Sequence, residues 1–169
     1  AIKAAQRGKA IFIEKPISVS ITGIKEFSEL VKEKKLIVEI GCQLRTHQNL
    51  KKLHYLTQSG KYGPLYTYRV VVGQRLDSWR PGTDYRQSYS SKIKEGGGAL
   101  LDLIHEIDLV LWLAGPIASV KAHLAHVSDH EIDAEDLVNM ILINSNGAVG
   151  QVQMDMLSPE YRRGVELIY

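Results

Sequence analysis

Helix, strand, helix and strand patterns follow one another within the first 41 residues, and that alternation is how the end of a parallel, doubly wound sheet reads. Ala1 to Arg7 has the character of the end of a helix, with Gly8 as its C-cap. Lys9 to Ile13 is a short apolar strand that runs into the polar turn Glu14-Lys15-Pro16. Ser20 or Thr22 serves as an N-cap for the next element, in which Ile24, Phe27, Leu30 and Val31 recur at the spacing of an amphipathic helix. Leu36 to Ile40 follows as a buried strand.

After Gly41 the character changes. His47 to Ser59 carries Leu50, Leu53 and Leu56 at helical spacing and stops at Gly60, and Leu65 to Gly73, rich in Tyr and Val, is a strand. Gln74 to Glu95 is a long polar and aromatic segment, and loops of that length in compact domains are functional or disordered. Gly96-Gly97-Gly98 leads into one apolar helix, Ala99 to Leu113, ended by Gly115-Pro116. Strands follow at Ser119 to Val127, Asp136 to Ile143, Ala148 to Met156 and Arg162 to Tyr169, with Asn146-Gly147 as a hairpin turn. The expected architecture is α/β followed by α+β. Residues 1–43 end a doubly wound sheet, and residues 44–169 form a domain with a large, mostly antiparallel open sheet packed on helices.

Composition narrows the class of function. Lys and Arg number 21 against 19 Asp and Glu, and these charges are spread along the chain, so nucleic acid is not an expected partner. No apolar run approaches a membrane span. The single cysteine, Cys42, cannot form an internal disulfide and fits a reducing compartment, with the cytoplasm as the default; it reads as core. A start without Met, partway into a helical pattern, reads as part of a longer protein.

Three constellations offer chemistry. Lys15 of Glu14-Lys15-Pro16 stands at the end of a parallel strand, where doubly wound folds place their ligands. It could give a substrate hydroxyl a cation and three donors, or be a solvated lysine in a turn. In Gly96-Gly97-Gly98-Ala99-Leu100-Leu101-Asp102-Leu103-Ile104-His105, the glycines permit close backbone approach and leave amide donors free. Asp102 and His105 then share one face of an apolar helix, as a general base with its carboxylate or as a buried structural hydrogen bond; Asp108 follows one turn on. The third is the loop carrying Trp79, Arg80, Asp84, Tyr85, Arg86 and Tyr89, whose aromatic faces and bidentate donors suit a carbohydrate, although an exposed polar loop has the same composition. His123, His126 and His130 are widely spaced and lack a completing ligand set, so no metal site is expected.

Taken together, Ala4-Ala5 to Gly8-Lys9 before Glu14-Lys15-Pro16, Ser59-Gly60-Lys61-Tyr62-Gly63-Pro64 before a strand, and the glycine-led helix ending Trp112-Leu113-Ala114-Gly115 resemble the glucose-fructose oxidoreductase, inositol dehydrogenase and MocA-like oxidoreductases. The resemblance covers essentially the whole chain and implies a Rossmann domain for NAD or NADP, most of it missing here, followed by a substrate and oligomerisation domain. It implies hydride transfer between the nicotinamide and a hydroxyl of a sugar, polyol or nucleotide-sugar. Lys15, Asp102 and His105 would be catalytic, Glu14, Lys15 and Pro16 would lie at the cofactor, and Arg45, Trp79, Arg80, Asp84, Tyr85 and Tyr89 at the substrate. His105 would take the hydroxyl proton while Lys15 and Asp102 orient and polarise the oxygen. The Trp79 to Tyr89 loop looks like those of members encoded with surface-polysaccharide and nucleotide-sugar pathways.

Two departures stand out. Asp and His are separated by four in the family's common form and by three here, as if one residue had been lost. No Gly-x-Gly-x-x-Gly turn or ribose-binding acid is present, so this stretch alone would bind the cofactor poorly or not at all and would be inactive. Rival readings are a non-catalytic sugar-binding member and an NAD-dependent glycosidase that oxidises transiently. A broad open sheet face predicts a homodimer or homotetramer through that face.

Overall fold

A computed structural model describes all 169 residues, Ala1–Tyr169, and they divide into two compact units, Ala1–Cys42 and Gln43–Tyr169. In the first unit, α1 (Ile2–Gln6) and α2 (Ile24–Glu33) accompany a parallel pair of three-residue strands, β1 (Ile11–Ile13) and β2 (Val38–Ile40). Ile11 pairs with Val38 and Ile13 with Ile40, and the Gly41 amide continues the ladder by donating to the Ile13 carbonyl at 2.8 Å. Ala5 and Phe27 are the buried apolar residues of this unit, while Phe12 and Ile37 on the strands stay largely exposed.

The expected cap of α2 is corrected. Neither Ser20 nor Thr22 fills the role; the N-cap is Gly23, left-handed at φ 78, and no side chain caps the helix. The serine hydroxyls are used earlier, Ser18 Oγ accepting from the Ser20 amide and Ser20 Oγ from the Thr22 amide. These successive turns delay the helix by a residue, and only glycine adopts the final left-handed step at little cost.

The second unit is a five-stranded sheet with helices on one face. In chain order its strands are β3 (Thr67–Gly73), β4 (Ile117–Ala125), β5 (Leu137–Asn144), β6 (Val149–Asp155) and β7 (Arg162–Ile168), arranged β4-β5-β6-β3-β7. Only β3 and β6 run parallel, and the connection between them, with its helices and two further strands, supplies the long crossover a parallel pair needs; the other pairs are antiparallel. The β5–β6 hairpin turns through Asn146-Gly147, with Gly147 at φ 88 and its amide donating to the Asn144 carbonyl. Alternation decides which face is core. Val138, Met140 and Leu142 of β5, Val152 and Met154 of β6, and Tyr68, Val70 and Val72 of β3 all point to the helical side and are buried.

Three helices complete the unit: α3 (Gln48–Gln58), α4 (Ala99–Asp102) and α5 (His105–Leu113). Val110 and Leu113 of α5 are buried, and α3 is stitched to α5 by the His54 ring stacked on Trp112 at 4.4 Å. No helix is long and apolar enough to cross a membrane.

Here the structure overturns a single helix from Ala99 to Leu113. The backbone leaves helical geometry at Leu103 (φ −98, ψ 23), and the next amides form tighter bonds, Glu106 to the Leu103 carbonyl and Ile107 to that of Ile104. Asp102 therefore ends α4 and His105 begins α5, so the two do not share one helix face. Asp102, His105 and Glu106 stand at i, i+3 and i+4, the spacing of one face of an unbroken helix, so the local pattern carries no sign of the break and tertiary contacts set the backbone instead. All three are buried, each no more than 5% exposed.

Candidate active site

The glycine run joins the long polar loop to the helices. The 74–95 segment folds as successive 3-10 turns, and Gly96 at φ 88 ends the last of them. Gly97 lies against the loop backbone so closely that a Cβ there would sit 2.4 Å from the Tyr89 carbonyl oxygen and 2.5 Å from that of Ser90. Gly98, at φ 92, faces the Glu135 carboxylate, 2.7 Å from where a Cβ would stand.

The expectation that these glycines leave amides free for a ligand is corrected. Gly97 donates to the Lys92 carbonyl, Gly98 to that of Ser90, and Ala99 to that of Glu135, while Leu100 donates to Glu135 Oε1 at 2.8 Å. Close approach is the purpose of the glycines, and the protein itself takes up the donors that approach exposes. Glu135 was not legible as part of this site; the one signal is its place among the acids Asp133, Glu135 and Asp136 just before a strand.

Tyr89 is delivered by this packing to Asp102. Its hydroxyl donates to Asp102 Oδ1 at 2.8 Å, with Asp102 4% exposed and Tyr89 41% exposed. Burial, then the hydrogen bond to Asp102 and its charge, push the Tyr89 phenol above the ordinary tyrosine range. Arg80 lies 5.3 Å above the Tyr89 ring and also donates to Ser90 Oγ at 3.3 Å. Arg80, Tyr89 and Asp102 thus form one chain of polar contacts from the loop to the end of α4, and His105, which begins α5, is buried.

The other loop residues have partners of their own. Trp79 packs against the core and donates through Nε1 to the Gln74 carbonyl at 2.9 Å. Tyr85 also packs there, meets His130 edge-on and accepts from the Glu131 amide through its hydroxyl. Asp84 caps the Tyr85–Gln87 turn and forms a bidentate pair with Arg86, whose guanidinium holds the carboxyl below the usual range. Arg45 is bidentate to Asp108, at 2.9 Å and 2.7 Å, and lies 5.7 Å over Trp112.

Glu14, Lys15 and Pro16 belong to the first unit. They follow β1 at the carboxyl end of the parallel pair, with a cis bond between Lys15 and Pro16. Gly41, at the matching end of β2, lies against Glu14, whose carboxylate would be 2.6 Å from a Cβ at that position. His123, His126 and His130 do not converge: His123 is on the open face of the sheet, His126 is 3.7 Å from Asp136, and His130 is buried beside Tyr85.

The sequence matches two family descriptions in succession. Residues 1–42 match the oxidoreductase family with an NAD-binding Rossmann fold, and residues 50–168 match the GFO/IDH/MocA C-terminal domain. Similar proteins include the scyllo-inositol 2-dehydrogenase (NAD(+)) of Bacillus subtilis, 30% identical over 164 residues, which are 94% of this chain and 45% of that one. The 2,7-anhydro-N-acetylneuraminate hydratase of Mediterraneibacter gnavus is 30% identical over 160 residues, 88% of this chain and 40% of that one. Among solved structures, the WlbA dehydrogenase from Bordetella pertussis in complex with NADH and UDP-GlcNAcA superposes with a TM-score of 0.86 at 26% identity, covering 99% of this chain and 48% of that one. The chain spans less than half the length of each of these relatives. By sequence and by fold, the chain belongs to the GFO/IDH/MocA family of NAD-binding oxidoreductases.

Proposed function

We propose that the full-length protein is a dehydrogenase that moves a hydride between NAD or NADP and a hydroxyl-bearing carbon of a sugar, polyol or nucleotide-sugar. The observation that carries this reading is the pair of inward-turned polar side chains, Asp102 and His105, on either side of the α4–α5 break in a chain of this oxidoreductase family. A buried His and a buried carboxylate three residues apart in the chain suit removal of a proton from an alcohol. His105 takes the hydroxyl proton, Asp102 orients the reacting oxygen, and Lys15 supplies the cation that polarises it.

The residues of the first unit fit one end of a dinucleotide. Glu14, Lys15 and Pro16 stand at the carboxyl ends of parallel strands, where doubly wound sheets bind ligands, and the close approach of Gly41 keeps that end compact. The dinucleotide, when bound, supplies the two-electron acceptor. The glycine-rich phosphate turn is not within these residues. We assign residues 1–43 to the cofactor domain and 44–169 to the substrate and oligomerisation domain. The substrate-facing side is the Arg45 and Trp79 to Tyr89 region, of which Tyr89 bonds Asp102 and Arg80 lies over the Tyr89 ring. The open face of the five-stranded sheet is the proposed contact of a homodimer or homotetramer, and the lone cysteine fits a cytoplasmic setting.

The test is NAD(P)H formation by the full-length protein with a panel of inositols, sugars and nucleotide sugars, beside its His105→Ala variant. Turnover that disappears in the variant supports the reading. A protein that binds neither dinucleotide would instead be a sugar-binding member. A second reading, turnover without net oxidation, draws on the similar protein named as a hydratase; product formation with no NAD(P)H accumulating would identify it.

A further inference from the structure

We propose that Tyr89 is a positioning residue, which acts through its hydrogen bond to Asp102 to hold that carboxylate aimed for the reaction. The inference rests on the reading of Asp102 and His105 as the acid–base pair and deepens it.

Asp102 is the last residue of a four-residue helix, and the backbone leaves helical geometry immediately after it. Tyr89 reaches the Asp102 side chain from outside the helix, with the hydroxyl 2.8 Å from Oδ1 of a carboxylate that is 4% exposed. A phenol donating to one oxygen of a buried carboxylate fixes where that oxygen points.

The tyrosine is itself held from two sides. The Tyr89 carbonyl and its neighbour at Ser90 press against Gly97, and the Gly98 amide donates to the Ser90 carbonyl at 3.0 Å. On the other side, Arg80 lies over the ring and bonds Ser90 Oγ. Charged groups facing the phenol are therefore Asp102 from α4 and Arg80 from the loop. The Tyr89 ring is 41% exposed, so it also links the buried carboxylate to the protein surface. A residue that only touched substrate would need neither the glycine-packed backbone nor the hydrogen bond inward.

The experiment compares the full-length protein with Tyr89→Phe and Asp102→Asn, measuring kcat and KM across pH on the substrate turned over in the panel. Phenylalanine keeps the ring beneath Arg80 and removes only the donor. The expected result for Tyr89→Phe is a kcat lowered about tenfold with KM changed less than about threefold. A purely structural tyrosine would lower the melting temperature and leave kcat of the folded enzyme at the wild-type value. Wild-type kcat in Tyr89→Phe, with Asp102→Asn impaired, would overturn the proposal and leave the acid–base reading standing. A raised KM at unchanged kcat would also overturn it, making Tyr89 a substrate contact. Wild-type kcat in Asp102→Asn would instead overturn the acid–base reading and the proposal with it.

Discussion

Tyr68 and Gly150 stand directly opposite each other in the parallel β3–β6 pair, and the tyrosine ring lies flat over the glycine, 1.9 Å from where a Cβ would be. The ring is anchored beyond the glycine by its hydroxyl, which donates to Asn144 Oδ1 at 2.6 Å, while Asn144 Nδ2 donates to the Gly115 carbonyl at 2.8 Å. Burial pushes the phenol up to about 12. The packing thus ties β3, β5, β6 and the end of α5 together through one ring. Gly150→Ala cannot be accommodated without moving a 3% exposed side chain, and overpacking of this kind costs about 1–3 kcal/mol or more. A lowered urea midpoint checks it; an unchanged midpoint would mean that the ring has room to shift.

Gly97→Ala strikes the loop rather than the sheet. Its Cβ would meet two backbone carbonyl oxygens, at Tyr89 and Ser90, and backbone gives way less readily than a side-chain tip. The loop must lift from α4, breaking the reach of Tyr89 to Asp102. Turnover by the full-length protein is expected to fall at least as far as in Tyr89→Phe, while the melting temperature drops only by a few degrees, as about 1 kcal/mol would produce. Activity near wild type would show that the loop and helix are not coupled through the glycine.

How much of this was legible depended on whether local pattern or distant contact decided the outcome. The amphipathic spacing of Ile24, Phe27, Leu30 and Val31, and the Asn146-Gly147 turn, are local signals, and both elements form. The parallel β3–β6 pairing is decided by strands more than 80 residues apart in register, which no window of sequence contains. The break at Leu103 escaped because Asp102, His105 and Glu106 stand at the i, i+3, i+4 spacing of a continuous helix, although the interval of three between Asp102 and His105 already departs from the family's usual four. Tyr89 and Asp102 were each singled out, but their bond spans 13 residues across the glycine run and had no periodic signature.

Acid should act partly through Asp155, which is 2% exposed at the end of β6. Burial alone would raise its carboxyl, but Arg162, Ser158 and the amides of Ser158 and Leu157 outweigh burial and hold it below the usual range. A carboxyl depressed in the folded state gives stability that is present above its unfolded value of about 4 and is lost as pH falls through the folded value. Asp155→Asn is therefore expected to lose about 1–3 kcal/mol at neutral pH, and the gap from wild type should close below about pH 4. Urea midpoints at pH 7 and pH 3 measure this; a gap of equal size at both would assign the loss to packing instead of charge.

The open face of the sheet makes the last prediction. Alternation sends Ser119, Ile143, Val149, Thr67 and Ile168 to one row across all five strands, with Lys121, Ile141, Gln151, Arg69 and Glu166 in the next. Ile141, Ile143, Val149 and Ile168 are each more than two-fifths exposed, so neighbouring strands present apolar side chains with no helix over them. Polar neighbours in the same rows keep this face from being core, yet uncovered apolar surface of this kind suits a second copy of the chain. If the full-length protein assembles through this face, Ile143→Glu places a charge opposite Val149 and should shift the mass measured by light scattering toward the monomer, with the fold unchanged because residue 143 points away from the core. An oligomer of undiminished stability in this variant would place the contact elsewhere.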